Sequence, residues 1–119
     1  SRPKLLEFQY VTGLTVAGNA VGDPLHLKDS PFWTLTPSYS RNVRVRDLRI
    51  TAPIRTPGIG NTDGVNLDSC RDALVENVYV NNSDDGVCMK SGLDGFGINL
   101  AIPTEDVLVR NITCDDAGR

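Results

Sequence analysis

The sequence has few of the residues from which metal sites are built. Among 119 residues there are 3 cysteines and 1 histidine, and no C-x-x-C pair occurs, so the ligand set of a zinc site is missing. We therefore expect no metal and no other cofactor. We expect Cys70, Cys88 and Cys114 to be small buried thiols.

Long apolar runs and an excess of positive charge are absent as well. No run approaches the roughly 18 apolar residues that span a bilayer, and a formal net charge of −3 disfavours a nucleic-acid partner. With 39% hydrophobic and 23% charged residues, the composition is typical of a soluble globular protein. We expect one domain, with neither a membrane nor a nucleic acid as its partner.

Helical patterns are scarce, because 11 glycines and 7 prolines interrupt the chain and no stretch keeps apolar residues at helical spacing. A repeat takes their place. Four segments can be superimposed, at residues 13–21, 42–50, 72–80 and 106–114. In the last three, the second, fourth, seventh and ninth places are apolar or nearly so, which predicts two short strands joined by a bend. The first copy fits only in its first half, and Leu25 and Leu27 supply its second strand.

A second set of alternating segments lies between these copies, at residues 32–36, 64–68 and 86–90. Short strands that repeat every few tens of residues are typical of a solenoid. We predict an all-β parallel β-helix, with about three strands per coil and about four to five coils, forming a single segment over residues 1–119. A β-sandwich also contains many short strands, but the hairpin signals Asn-Gly and Gly-Gly are absent here.

Acidic residues recur in step with this repeat. Asp63 in "NTDGVNL" and Asp85 in "DDGVCMK" are 22 residues apart (85 − 63), and Asp84 precedes the second. Coils stack at roughly 4.8 Å, so the three carboxylates should crowd together on the outer wall. Like charges there repel, and the cluster needs either a cation or a shared proton, which would separate an acid from a base. Taken singly, each Asp-Gly pair could instead be a simple turn.

These segments resemble glycoside hydrolase family 28, the polygalacturonases and related pectin hydrolases. The resemblance is carried by "NTDG" followed by "DDG", and by "RPKLLEF", "LKDSPFWTLTP", "RNVRVRDLRITAP", "DGVCMKSG" and "VLVRNITC" in family order. It implies a right-handed parallel β-helix that hydrolyses α-1,4-galacturonosyl linkages in pectin with inversion. The family's G-H-G and R-I-K motifs do not occur here, so we expect the central part of a longer catalytic domain, which alone would be inactive.

The resemblance also implies roles for individual residues. Asp84 would be the general acid, and Asp63 and Asp85 would activate the attacking water. Lys90 would hold a substrate carboxylate, unless it pairs across the strands with Asp68. Asn61 would bind or orient near the acids, or serve only as a turn residue.

Further expectations follow from the alternation and from the family. Alternation places some side chains inside the coil, namely Trp33, Leu35, Val65 and Leu67. It places others on the outside, namely Thr34, Thr36, Asn66, Asp68 and Lys90. The family implies an acidic polysaccharide (pectin) as the partner, a monomeric full-length protein, and a secreted, cell-wall or periplasmic location.

Two other functions fit the same pattern of acids. One is a calcium-dependent pectate lyase in which the three carboxylates are calcium ligands. The other is a solenoid without catalysis that only binds polysaccharide.

Overall fold

The computed structural model describes residues 2–52 and 59–115, which form a right-handed parallel β-helix of about three turns. Its elements in chain order are β1 (Leu6–Gln9), β2 (Thr12–Ala17), β3 (Leu25–Lys28), β4 (Leu35–Ser38), β5 (Arg41–Thr51), β6 (Val65–Asp68), β7 (Arg71–Asn81), β8 (Val87–Lys90), α1 (Asp94–Leu100) and β9 (Glu105–Cys114). Helix α1 has 7 residues, and the described part of the chain contains no helix that could cross a membrane.

Two parallel sheets make up the wall of the solenoid. The short strands form one sheet in the order β1-β4-β6-β8, and the long strands form the other in the order β2-β5-β7-β9. Strand β3 pairs with the second half of β5 through Leu25 and Leu27, which confirms the interrupted first copy of the repeat. The predicted β-helix is confirmed, but the count of four to five coils is too high. Helix α1 lies in the connection from β8 to β9, and β9 continues the long-strand sheet beside β7.

The bend predicted inside each long strand is present. Asp47, Asn77 and Asn111 take left-handed backbone conformations, with φ of 56°, 53° and 53°. Asn and Asp tolerate this region better than other side-chain-bearing residues. Their side chains form a ladder, because the Asn77 amide donates to Asp47 Oδ1 at 3.2 Å and the Asn111 amide donates to Asn77 Oδ1 at 2.6 Å. Each long strand is therefore two short strands joined at a polar corner.

Apolar side chains from both sheets fill the interior. Leu35, Val65 and Leu67 are fully buried, as the alternation predicts. They pack with the inward residues of β5 and β7, namely Val43, Val45, Leu48, Ile50, Ala73, Val75, Val78 and Val80. Because this core runs along the solenoid axis, the outer wall of the short-strand sheet is left free to carry polar groups.

Helix α1 was not predicted. It spans "DGFGINL", in which two glycines disfavour helix by about 1 kcal/mol each. Gly97 allows a close approach instead, because a β-carbon there would lie 2.9 Å from the Cα of Gly92. Tertiary packing, which no local pattern records, therefore decides this segment.

Candidate active site

Asp63 and Asp85 stand side by side on neighbouring coils. The backbone N–H of Gly64 donates to the carbonyl of Asp85 at 2.9 Å, which fixes the two turns in register. A carboxylate oxygen of each acid and the sulfur of Cys88 lie within 4.8 Å of one another. The stacking of these two acids that the repeat predicted is therefore present.

Asp63 is the buried member of the pair. Its residue is 3% exposed, and Oδ1 has no hydrogen-bond partner among the described residues. Its other oxygen, Oδ2, lies 3.5 Å from the ammonium nitrogen of Lys90. An isolated buried carboxylate is costly, so this cation is what allows Asp63 to sit inside the wall.

Asp84 is exposed and is held by a different set of donors. Its Oδ2 accepts a hydrogen bond from the backbone N–H of Asn61 at 3.0 Å, and its Oδ1 accepts one from the N–H of Asp85 at 2.9 Å. Asn61 itself takes a left-handed conformation with φ of 56°. Asn61 therefore lies at the cluster of acids, and its backbone orients Asp84 while its side chain stays exposed.

The two turns that carry the acids are tied together. The buried amide of Asn82 donates to the carbonyl of Thr62 at 2.7 Å and to that of Asp85 at 3.0 Å. The hydroxyls of Thr62 and Ser83 are 2.9 Å apart and share a hydrogen bond. Because both turns use up their polar groups on each other, the carboxylates are held in place before any ligand arrives.

Cys88 is a site residue that the sequence did not reveal. Its thiol lies 3.3 Å from Asp85 Oδ2 and 3.5 Å from Asp63 Oδ2. Burial, the hydrogen bond to Asp85 and the nearby acids raise the pKa of Cys88 to about 12. The thiol therefore stays protonated and donates a hydrogen bond to the carboxylates. Of the other predicted buried thiols, Cys70 is buried, but Cys114 is exposed on the edge strand β9.

The position predicted for Trp33 is wrong. It was predicted inside the coil, but it lies half-buried outside the core, with the Lys90 ammonium 4.6 Å from its ring centroid. A signal was available, since Trp33 precedes Asp63 by 30 residues (63 − 33), which is one coil. Trp33 and Lys90 together form a cation–π pair beside the acids.

The prediction that the outward positions are exposed is also wrong in part. Thr36 and Asn66 follow inward residues in the alternation, but both are fully buried, and their side-chain polar atoms have no partners among the described residues. Thr34 is likewise buried. Asn66 is in register with Cys88, so buried polar groups continue the site along the wall.

Lys90 bonds to Asp63 rather than to Asp68. No ion pair joins Lys90 to Asp68 in the described part of the chain, although the two are in register. Asp68 Oδ1 instead accepts the backbone N–H of Gly92 at 2.8 Å. The cross-strand alternative for Lys90 is therefore wrong.

Replacing Lys90 with Met should destabilise the fold by roughly 3 kcal/mol at neutral pH, because Asp63 would be left as an uncompensated buried charge. Denaturant unfolding of the full-length protein measures this loss. Lys28→Met is the matched control, since Lys28 is exposed and 4.0 Å from Asp29, and it should cost about 0.5 kcal/mol or less. Equal losses in both variants would contradict the assigned pairing, and Lys90→Arg should restore most of the stability.

The comparisons with known proteins agree on one family. The family model described as Glycosyl hydrolases family 28 matches residues 1–117. A protein named "Probable polygalacturonase" from Vitis vinifera is 39% identical over 114 residues, which cover 96% of this chain and 21% of that protein. The crystal structure of a hyperthermoactive exopolygalacturonase from Thermotoga maritima superimposes with a TM-score of 0.70 at 26% identity, covering 95% of this chain and 23% of that one. The chain thus spans less than a quarter of the length of either relative.

Proposed function

Because this chain belongs to the family 28 glycosyl hydrolases, we propose that the protein containing it hydrolyses α-1,4-galacturonosyl linkages in pectin with inversion at the anomeric carbon. The observation that carries this proposal is the convergence of Asp63 and Asp85 from separate coils within 4.8 Å, with Cys88 between them. Two carboxylates at this spacing can both bind one water molecule. A fold without catalysis would gain nothing from such a pair.

Asp63 and Asp85 act as the base that orients and deprotonates the attacking water, and Asp84 acts as the acid that protonates the leaving oxygen. This division is supported by their surroundings, since Asp84 does not join the cluster formed by the other two and Cys88. Inverting glycosidases keep acid and base apart by roughly 6.5–9.5 Å so that water fits between them. The backbone donors on Asp84 hold it in one orientation towards the turn that begins at Asn61.

Lys90 and Asn61 bind the substrate beside these acids. An ammonium group has three donors, and the Lys90 side chain is 28% exposed while it contacts Asp63. It can therefore contact a uronate carboxylate and the buried acid at once. Asn61 is exposed at the edge of the cluster and presents an amide to a sugar hydroxyl.

Calcium-dependent elimination is the main competing activity, and the charges around the acids disfavour it. A calcium ion would replace the Lys90 ammonium at Asp63, and both Asp84 oxygens already accept backbone N–H groups. Among the described residues, the group within 4.8 Å holds two carboxylates and one thiol, which falls short of the oxygen-rich shell that calcium prefers. The third member of the group with Asp63 and Asp85 is the sulfur of Cys88, and calcium prefers oxygen ligands to sulfur.

The proposed activity is tested with the full-length protein on polygalacturonate. We expect new reducing ends, no unsaturated product absorbing in the near ultraviolet, and no effect of a chelator. An unsaturated product whose formation stops with chelator would contradict hydrolysis and support the lyase. Binding without any new ends would support the solenoid that only binds polysaccharide.

The remaining expectations extend the proposal. We propose that residues 1–119 form the central part of the catalytic domain and that the full-length protein works as a monomer on acidic polysaccharide. Its location is proposed as secreted, cell-wall or periplasmic, since polygalacturonases of this family are typically extracellular.

A further inference from the structure

A column of residues follows the short-strand sheet on the side away from the acids. The residue that directly follows each of β1, β4 and β6 has a left-handed backbone conformation. These residues are Tyr10, Tyr39 and Ser69, with φ of 58°, 51° and 55°. The N–H of Tyr10 donates to Ser38 and the N–H of Tyr39 donates to Asp68, so the three positions are in register. The rings of Tyr10 and Tyr39 stack at 5.0 Å between centroids with 12° between their planes. This distance matches the spacing of neighbouring coils, so the rings stack along the solenoid axis.

The aromatic column stops at the third coil, where Ser69 takes the place of a ring. One face of Tyr39 packs on Tyr10, and the next position of the column is Ser69, whose short side chain is 4% exposed. A groove of about 170 Å³ opens here, between Tyr39 and the segment Ile102–Pro103 and beside Ser69. Tyr10 lines the groove as well, so the groove runs beside the aromatic column and reaches its end at Ser69.

A cation without an acidic partner borders this groove. Arg41 and Arg71 both line it and are in register on adjacent strands, where like charges repel. Arg71 is neutralised by Glu105 at 3.4 Å and Asp106 at 3.1 Å. Arg41 has no ion pair among the described residues. Glu105 lines the groove as well, so the groove combines the Tyr39 ring and one carboxylate with the guanidinium of Arg41, which has no ion pair among the described residues.

We propose that this groove binds one uronate residue of an acidic polysaccharide, with the sugar ring against Tyr39 and its carboxylate on Arg41. A pyranose ring presents C–H groups to an aromatic face, and a guanidinium matches a carboxylate with two parallel hydrogen bonds. Burial, Asp68 and Tyr10 raise the pKa of Tyr39, so its hydroxyl is protonated at neutral pH.

The groove is a separate binding position from the cluster of acids. Asp63 precedes β6 and Ser69 follows it, which places the two roughly 20 Å apart along the strand direction. A sugar in the groove therefore contacts none of the reacting groups. The identity of the sugar rests on the proposed function, and the geometry of the groove does not.

Filling the gap is the sharpest test. In the full-length protein carrying Asp84→Asn to prevent turnover, Ser69→Tyr should complete the aromatic column and weaken oligogalacturonate binding about tenfold, as measured by calorimetry. The backbone already holds tyrosine in this conformation at positions 10 and 39, but Ser69 is 4% exposed, so the added ring must turn outward into the groove. Thermal unfolding checks that the fold is kept. An unchanged Kd in a folded Ser69→Tyr protein would overturn the proposal.

Removing the cation is the second test, with a matched control. Arg41→Gln should also weaken binding about tenfold. Arg49→Gln removes the same charge from the outer wall, where Arg49 lies over the Tyr79 ring at 4.5 Å, and it should leave the Kd within about twofold. An equal loss of affinity in both variants would mean that the total positive charge, and not the groove, determines binding. That result would overturn the proposed site.

The two proposals fail in different ways. Suppose that the parent protein hydrolyses polygalacturonate but the Ser69 and Arg41 variants bind with the same Kd as the Asp84→Asn protein. The proposal of a binding groove is then wrong, and the proposed activity stands. If the parent hydrolyses nothing but both variants lose binding, the groove stands and the activity is wrong. For fully methyl-esterified oligomers, Ser69→Tyr should still weaken binding, whereas Arg41→Gln should leave the Kd unchanged. If neither substitution changed the Kd of these oligomers, the proposed groove would be overturned.

Discussion

Asp84→Asn should lower kcat for polygalacturonate by roughly three orders of magnitude, which is the range expected when a general acid is lost. Asn has the same shape, and its carbonyl oxygen still accepts one of the two backbone N–H groups that hold Asp84. The substrate should therefore bind much as before, with KM changed little. Release of reducing ends by the full-length protein measures both constants.

Asp115→Asn is the matched control for this prediction. Asp115 is also exposed and also follows a long strand, but it comes directly after β9, without the intervening turn that places Asp84. Its side chain accepts a hydrogen bond from the Tyr79 hydroxyl at 2.8 Å. We expect kcat within about twofold of the parent. If Asp84→Asn retained activity, the proposed role of Asp84 as the acid would be contradicted. The assignment of the fold would still hold.

The repeat made the pairing of acids predictable. Once the short segments are placed one coil apart, Asp63 and Asp85 must be neighbours, and the hydrogen bond from Gly64 to Asp85 shows this register. The bends at Asp47, Asn77 and Asn111 were predictable for the same reason, because the apolar spacing breaks there in each copy. Features that recur with the coil are visible in one sequence.

Features that depend on packing between coils were not predictable in this way. Trp33 follows the alternation of an inward residue, but the bend before β4 turns its ring outward to Lys90. Cys88 was expected to be only a small buried thiol, and its place in the site arises because its sulfur contacts both Asp63 and Asp85. Asp63 is buried because Lys90 approaches it from the next coil. None of these contacts leaves a local pattern.

Gly64→Ala should destabilise the full-length protein by roughly 3 kcal/mol, the upper range for overpacking a core. A β-carbon there would lie 2.5 Å from the carbonyl oxygen of Gly86 and 3.2 Å from both methyl groups of Val80. The first of these contacts is with backbone, so the coils themselves must separate to relieve it. Denaturant unfolding measures the loss.

Two further glycines complete this experiment. Gly60→Ala should cost less than about 0.5 kcal/mol, since nothing lies within 4 Å of its added carbon. Gly86→Ala should fall between, because its added carbon meets the Cys114 sulfur at 2.3 Å, and that side chain can rotate away. Equal stability of the Gly60 and Gly64 variants would contradict the packing. If the order holds, glycine follows Asp63 because only glycine lets these two coils close to hydrogen-bonding distance, which brings Asp63 and Asp85 together.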